Sequence, residues 1–166
     1  MPTDFLSLLR RDHSDLQHEL TQLLDPTATV AQLRSSLDGV RLGLTAHAEA
    51  EEIVLARFEI VPALQVLLAQ ARAAHLAEEG ALSALIMARP GTVTWRDRAS
   101  HLRELVHHHA YLEEEVLVPA LRHHAGDHAF EGLAGAFATE RLRQLAMLQP
   151  SAPVFMPFVL AEARAL

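Results

Sequence analysis

The chain has no cysteine, which excludes disulfide scaffolds, thiolate zinc sites and cysteine-ligated iron–sulfur clusters within it. Any metal held here must use nitrogen and oxygen donors. Lysine and asparagine are also missing, but no physical requirement of a helical protein excludes either, and nothing functional follows from their loss. Aromatic residues are only 5% of the chain, and its 7 glycines and 8 prolines fall in a few places, so composition favours helix over sheet. No stretch approaches the roughly 18 uninterrupted apolar residues of a membrane span, and Met1-Pro2-Thr3-Asp4-Phe5 carries no basic region ahead of an apolar run. The expectation is a soluble, cytoplasmic protein with no membrane partner. All 14 basic residues are arginines scattered along a chain of net charge −7; with no basic stripe, nucleic acid is not an expected partner.

What is present is a chain of 166 residues, half of them apolar, enough for one domain with a proper core. Turn signals fall at Asp25-Pro26-Thr27, Ile60-Val61-Pro62, Arg89-Pro90-Gly91-Thr92, Ala125-Gly126-Asp127 and Gln149-Pro150-Ser151. They cut the chain into four long segments, each with the three-and-four step of a helix that buries one face. The seams read Leu6, Leu9, His13, Leu16, Leu20, Leu23; then Leu33, Leu37, Val40, Leu44, His47, Glu51, Val54, Phe58; then Leu64, Leu68, Ala71, His75, Glu78 or Glu79, Leu82, Ile86; and finally Trp95, Ala99, Leu102, Val106, His109, Glu113, Val116, Ala120. This predicts an all-α, up-down-up-down four-helix bundle over 1–125. Thr29-x-x-Gln32 reads as a capping box for the second helix, and Pro119 should kink or loosen the last turns of the fourth. Residues 126–166 form a tail with a fifth helix through about Met147, then an apolar stretch of Val154, Phe155, Met156 and Phe158 interrupted by prolines. The tail either packs on the bundle or makes a homo-oligomer contact.

Histidine is the outlier, at 11 residues. His13, His47, Glu51, His75, His109 and Glu113 all occupy seam positions that leucine and valine hold in adjacent turns. Alone, any one of them reads as a hydrogen-bonded core histidine or a paired glutamate. Together they place carboxylates in a core where an uncompensated charge costs several kcal/mol, and a cation is the simplest remedy. A repeat supports this: His13 to His75, His47 to His109 and Glu51 to Glu113 are each 62 residues apart, as are Leu20 to Leu82, Leu23 to Leu85, Val54 to Val116 and Leu55 to Leu117. Two copies of one helical hairpin follow, each bringing a His and then a His-x-x-x-Glu pair stacked on one helix face. The midpoints between successive ligand positions fall just after Pro26, at Pro62 and beside Pro90-Gly91, where a common layer needs the turns. Four imidazoles and two carboxylates suit two carboxylate-bridged metals of octahedral preference, iron above all, with manganese or zinc as alternatives.

These residues resemble the hemerythrin-like, or HHE cation-binding, family: Asp12-His13, HAEAEE at 47–52, His75, and HAYLEEEVLVPAL at 109–121, a likeness over roughly 5–122. The resemblance implies a non-haem di-iron centre, with His13, His47, His75 and His109 as terminal ligands and Glu51 and Glu113 bridging, meeting oxygen, nitric oxide or peroxide as the exogenous ligand. The oxygen-carrying members have a second histidine where Glu79 stands, which makes Glu79 a further candidate ligand. They also use His-x-x-x-x-Asp in the fourth helix, so Glu113 pairs with His109 by the shorter spacing or with His108 by the longer one. The shorter spacing is more like the sensor and iron-handling branches. Three functions follow: a di-iron protein that binds or senses oxygen, nitric oxide or redox state; an enzyme acting on peroxide or nitric oxide, or in iron-centre repair; and a scaffold that holds zinc or no metal. His18, His101, His107, His123, His124 and His128 read as solvated, Tyr111 as packing, and the other glutamates as surface charge.

Overall fold

The structure is a computed structural model and describes residues 4–149, so the Val154–Phe158 stretch lies outside the described residues. The described residues are helical apart from turns: α1 (Phe5–Gln22), α2 (Val30–Leu55) with a following 3-10 turn (Ala56–Phe58), α3 (Pro62–Ile86), α4 (Val93–Leu112), α5 (Val118–His124), α6 (Asp127–Glu131) and α7 (Leu133–Leu148). Each of the first four helices starts at a side chain that accepts from a free amide or at a proline that has none to satisfy. Asp4 accepts from the Ser7 amide at 2.7 Å, Pro62 opens α3, and Thr92 accepts from the Trp95 amide at 3.2 Å. The Thr29/Gln32 capping box is formed in both directions. Thr29→Ala should therefore lower stability by about 1 kcal/mol, read as a shifted midpoint of urea unfolding with an unchanged slope. Gly91 and Gly126 take φ of 79° and 80°, and so turn the chain where the sequence places its breaks.

The buried apolar residues form two clusters. One gathers Phe5, Leu9, Val54, Phe58, Leu64, Leu68 and Leu121; the other gathers Leu16, Leu20, Val40, Leu44, Leu82, Trp95, Leu102 and Val106. Along α1 the chain runs from the first cluster to the second, along α2 it returns, along α3 it crosses again, and along α4 it comes back. Contacts run α1 to α2, α2 to α3, α3 to α4 and α4 to α1, so four successive antiparallel crossings close on themselves. This is compatible with the expected four-helix bundle. The described part of the tail packs on it: α7 lies against α1 and α2, and Phe130, Leu133 and Phe137 are buried in the first apolar cluster, with Phe137 edge-on to Phe5 at 5.7 Å.

Two seam positions differ from expectation. Ile86 is exposed and Leu85 buried, because α3 makes its last seam step by three residues rather than four. In the fourth helix Val116 is 41% exposed, while Leu117, Val118 and Leu121 fill the core. The reason is a π-turn at Glu113–Leu117, where the Val118 amide bonds back to the Glu113 carbonyl, five residues earlier. One residue is thereby added to the turn, and the seam beyond it advances by one. The turn lies directly ahead of Pro119, whose ring nitrogen has no amide proton for the regular helical ladder, and the helix continues past the proline instead of breaking.

Candidate metal centre

Between the two apolar clusters lies a single polar layer. His13 comes from α1, His47 and Glu51 from α2, His75 from α3, His109 from α4, and Glu113 from the first position of the π-turn. None of the six is more than 6% exposed. The rings of His13 and His47 lie 4.9 Å apart and those of His75 and His109 4.6 Å apart, so each hairpin contributes one close imidazole pair.

The outer nitrogen of every imidazole meets a carboxylate. Asp12 Oδ2 takes the Nδ1 of His47 at 2.9 Å, Glu52 Oε1 that of His75 at 3.0 Å, Glu78 Oε1 that of His109 at 2.9 Å, and Glu114 Oε1 that of His13 at 2.8 Å. These contacts form a closed circuit: α1 holds the histidine of α2, α2 that of α3, α3 that of α4, and the π-turn that of α1. An ionised carboxylate only accepts, so each Nδ1 carries a proton and donates it. In a neutral ring the lone pair then sits on Nε2, which faces the layer.

Several of the inward atoms have nothing to bond. The Nε2 of His13, His47 and His75 and the Oε2 of Glu51 and Glu113 are buried without a hydrogen-bond partner. They are nevertheless close. Glu113 Oε2 lies 3.0 Å from His13 Nε2 and 3.8 Å from His47 Nε2, Glu51 Oε2 lies 3.5 Å from His47 Nε2 and 3.8 Å from His75 Nε2, and Glu113 Oε1 faces His109 Nε2. One donor atom from each of His47, Glu51, His75 and Glu113 lies within 4.8 Å of the other three. Convergent nitrogen and carboxylate donors, orphaned in a buried layer, are what a cation needs and what a packed core otherwise avoids.

The charges within the layer point the same way. Burial lowers the His47 imidazole, but its bond to Asp12 and the nearby negative charge of Glu113 outweigh this and hold it up at about 10. Burial likewise opposes the charged form of His109, which Glu113 and Glu78 nonetheless hold up at about 11. His75 is pushed below its ordinary value by burial and by the positive charge of His109. Burial and the neighbouring Glu113 drive the Glu51 carboxyl well above its ordinary value. Glu113, equally buried, is drawn well below it by His109, His13 and His47. Without a cation, one carboxylate stays charged by keeping imidazolium partners and the other keeps its proton.

Glu79 is exposed, and so is His108; neither enters the layer. Glu78, which shares the seam phase with Glu79 in the sequence, is the one that turns inward, at 1% exposure. His18, His101, His107, His123, His124 and His128 are exposed as expected, whereas Tyr111, expected to pack, is instead 59% exposed. The assignment of the other glutamates to surface charge needs correction for Glu52, Glu78 and Glu114, which hold imidazoles, and Asp12 does the same. A signal was available for two of them: Glu52 and Glu114 are themselves 62 residues apart, each following a glutamate of the layer.

Among the described residues no helix is long and apolar enough to cross a membrane. No curated protein matches the chain, and no solved structure does. The family described as the hemerythrin HHE cation-binding domain matches residues 4–146, which takes in the whole polar layer together with most of α7. With that match joined to a buried layer of histidine and glutamate donors, the chain belongs to the hemerythrin HHE cation-binding domain family.

Proposed function

We propose that the chain is an up-down-up-down four-helix bundle of two repeated hairpins holding a non-haem di-iron centre, and that it binds or senses oxygen, nitric oxide or redox state. His13 and His47 would hold one iron, His75 and His109 the other, with Glu51 and Glu113 between them. The observation that carries this reading is the placement of the carboxylates. Glu113 directs one oxygen at His109 of the second hairpin and the other at His13 and His47 of the first, while Glu51 Oε2 lies between His47 and His75. A carboxylate that faces both imidazole pairs is positioned to bridge.

Iron bound there would supply a reversible one-electron change and a coordination position for a small ligand. The chain's own groups do the rest. The four outer carboxylates fix the orientation of the imidazoles and keep their protons on Nδ1. The apolar clusters above and below exclude bulk water from the layer. Leu67, Ala71, Leu112, Val116 and Leu117 line a cavity of about 30 Å³ that reaches His109 and Glu113 between α3 and the fourth-helix π-turn. That is room for a water or a diatomic molecule, with mostly apolar walls. A small uncharged ligand such as oxygen or nitric oxide is the occupant those walls favour.

The first test is elemental analysis of protein produced with iron available and purified without a histidine tag. About two iron atoms per chain are expected from the two imidazole pairs, and His47→Ala should lose them. Substoichiometric metal that survives the substitution would sink the di-iron reading. If iron is confirmed, titration with nitric oxide followed by optical spectroscopy should show saturable binding.

A further inference from the structure

The circuit of carboxylates has one member held from outside the four long helices. Asp12 Oδ2 accepts from His47 Nδ1, and its other oxygen, Oδ1, pairs with the guanidinium of Arg141 on α7. Asp12 is 5% exposed and the Arg141 side chain 24%, so the contacts are buried at the imidazole and the carboxylate and partly covered at the arginine. One turn earlier on the same face of α7, the Phe137 ring packs edge-on against the His47 ring, 5.9 Å between centroids and 79° between planes. The helix thus touches His47 in two ways, through its ring and through the acceptor of its Nδ1 proton.

We propose that Arg141 is a positioning residue of the metal centre, fixing His47 through Asp12 so that the docking of α7 and the retention of metal strengthen each other. The inference rests on the metal-centre reading and adds to it an element through which the state of the layer reaches the outer surface. The physical reason is that a free Asp12 carboxylate can rotate away from His47. An arginine on its second oxygen limits that freedom, and the imidazole keeps its aim. The coupling is reciprocal: whatever docked α7 adds to metal affinity, bound metal adds to the docking of α7. Arg10, which pairs with Glu114 Oε2 at 2.9 Å, stands in the same relation to His13 but is half exposed, so water weakens its hold.

The test uses the full chain loaded anaerobically with Fe(II). The rate of iron transfer to excess chelator is measured for wild type, R141A, R141K and R141Q, with R143A as the control. Arg143 pairs with Glu140 on the exposed face of α7 and touches nothing of the centre. Loss of a group behind a metal ligand typically weakens retention by tenfold or more, so R141A should release iron about tenfold faster, and R141K and R143A at nearly the wild-type rate. Amide hydrogen exchange supplies a readout that a merely structural role would not move. Iron loading should raise protection along Leu133–Leu148 in wild type, and R141A should lose that rise while keeping the one in α3. Equal release rates for R141A and wild type, or equal gains of α7 protection, overturn the proposal. If R141A does not fold, R141Q is read against R141K, and equal release by these two overturns it as well. A wild-type chain that takes up no iron overturns the metal-centre reading itself, whereas a wild type that holds iron as tightly as R141A overturns the inference alone.

Discussion

Replacing Glu51 and Glu113 together by leucine should abolish metal binding and leave the metal-free chain more stable than metal-free wild type by about 1–4 kcal/mol. Both side chains are 1% exposed, and their Oε2 atoms have no hydrogen-bond partner. In the metal-free chain Glu113 therefore carries the desolvation cost of a buried carboxylate, and Glu51 that of a buried carboxyl whose charged form burial and Glu113 disfavour. Leucine has nearly the same volume, and would join the two apolar clusters that flank the layer. Glu113 helps to hold His47 and His109 in their charged forms, but without it both rings can give up a proton and still donate from Nδ1 to Asp12 and Glu78. In the loaded wild type the order reverses: free metal at a thousandfold over its dissociation constant adds about 4 kcal/mol, so a chelator should lower the unfolding midpoint sharply, and should not affect the double variant. Urea unfolding with and without chelator, beside metal analysis, checks all of this. A double variant that is less stable than metal-free wild type would mean that the carboxylates brace the bundle through imidazolium pairs and not through a cation.

Metal uptake should depend on pH as steeply as any property of the protein. His47 is held at about 10 and His109 at about 11 in the metal-free chain, so at neutral pH both rings are protonated. A metal takes the Nε2 lone pair, so binding must release one proton from each. The sign follows: with folded values above the ordinary 6.5, the protons are bound throughout the neutral range, and apparent metal affinity rises with pH until about 10 to 11. With two protons released, affinity should rise about a hundredfold per pH unit between pH 6 and 9. Glu51, pushed well above its ordinary value, acts in the same direction. Competition against a chelator of known proton affinity measures the slope, and calorimetry in buffers of different ionisation enthalpy counts the protons. A flat profile would show that the imidazoles are neutral before metal arrives. The same raised values make His47 and His109 stabilise the metal-free fold most below pH 6.5, a contribution that is lost as pH rises through 10 to 11.

The polar layer is legible in the sequence because two periodicities converge on it. The helical step puts His13, His47, His75, His109, Glu51 and Glu113 on seams otherwise made of leucine and valine, and the 62-residue repeat assigns them to two matching hairpins. A buried face has to be apolar or compensated, so a polar residue in such a seam is a strong signal even in one sequence. The turn positions were equally plain, since Pro62, Gly91 and Gly126 restrict or free the backbone whatever surrounds them.

The circuit of outer carboxylates was not legible in this way. Which of Glu78 and Glu79 turns inward, and which histidine Asp12, Glu52 or Glu114 reaches, depends on the rotation and depth of one helix against its neighbour. Each of these bonds joins two different helices, and the partners stand from 23 residues apart for His75 and Glu52 to 101 for His13 and Glu114. The 62-residue repeat relates Glu52 to Glu114, but it names no partner for either, and it relates Asp12 to no carboxylate. The π-turn is of the same kind: Val116 fits the seam as well as Leu117 by helical step, and only the packing of Leu117, Val118 and Leu121 against the first apolar cluster selects the extra residue. The seating of α7 beside His47 follows the same rule, because a surface helix with apolar residues on one face can cover any of several grooves. The local code of this chain was enough for its helices, its turns and the donors facing inward; the orientation of those donors, and the arginine behind one of them, came from side chains meeting across helices, where the energy depends on distances that spacing along the chain does not encode.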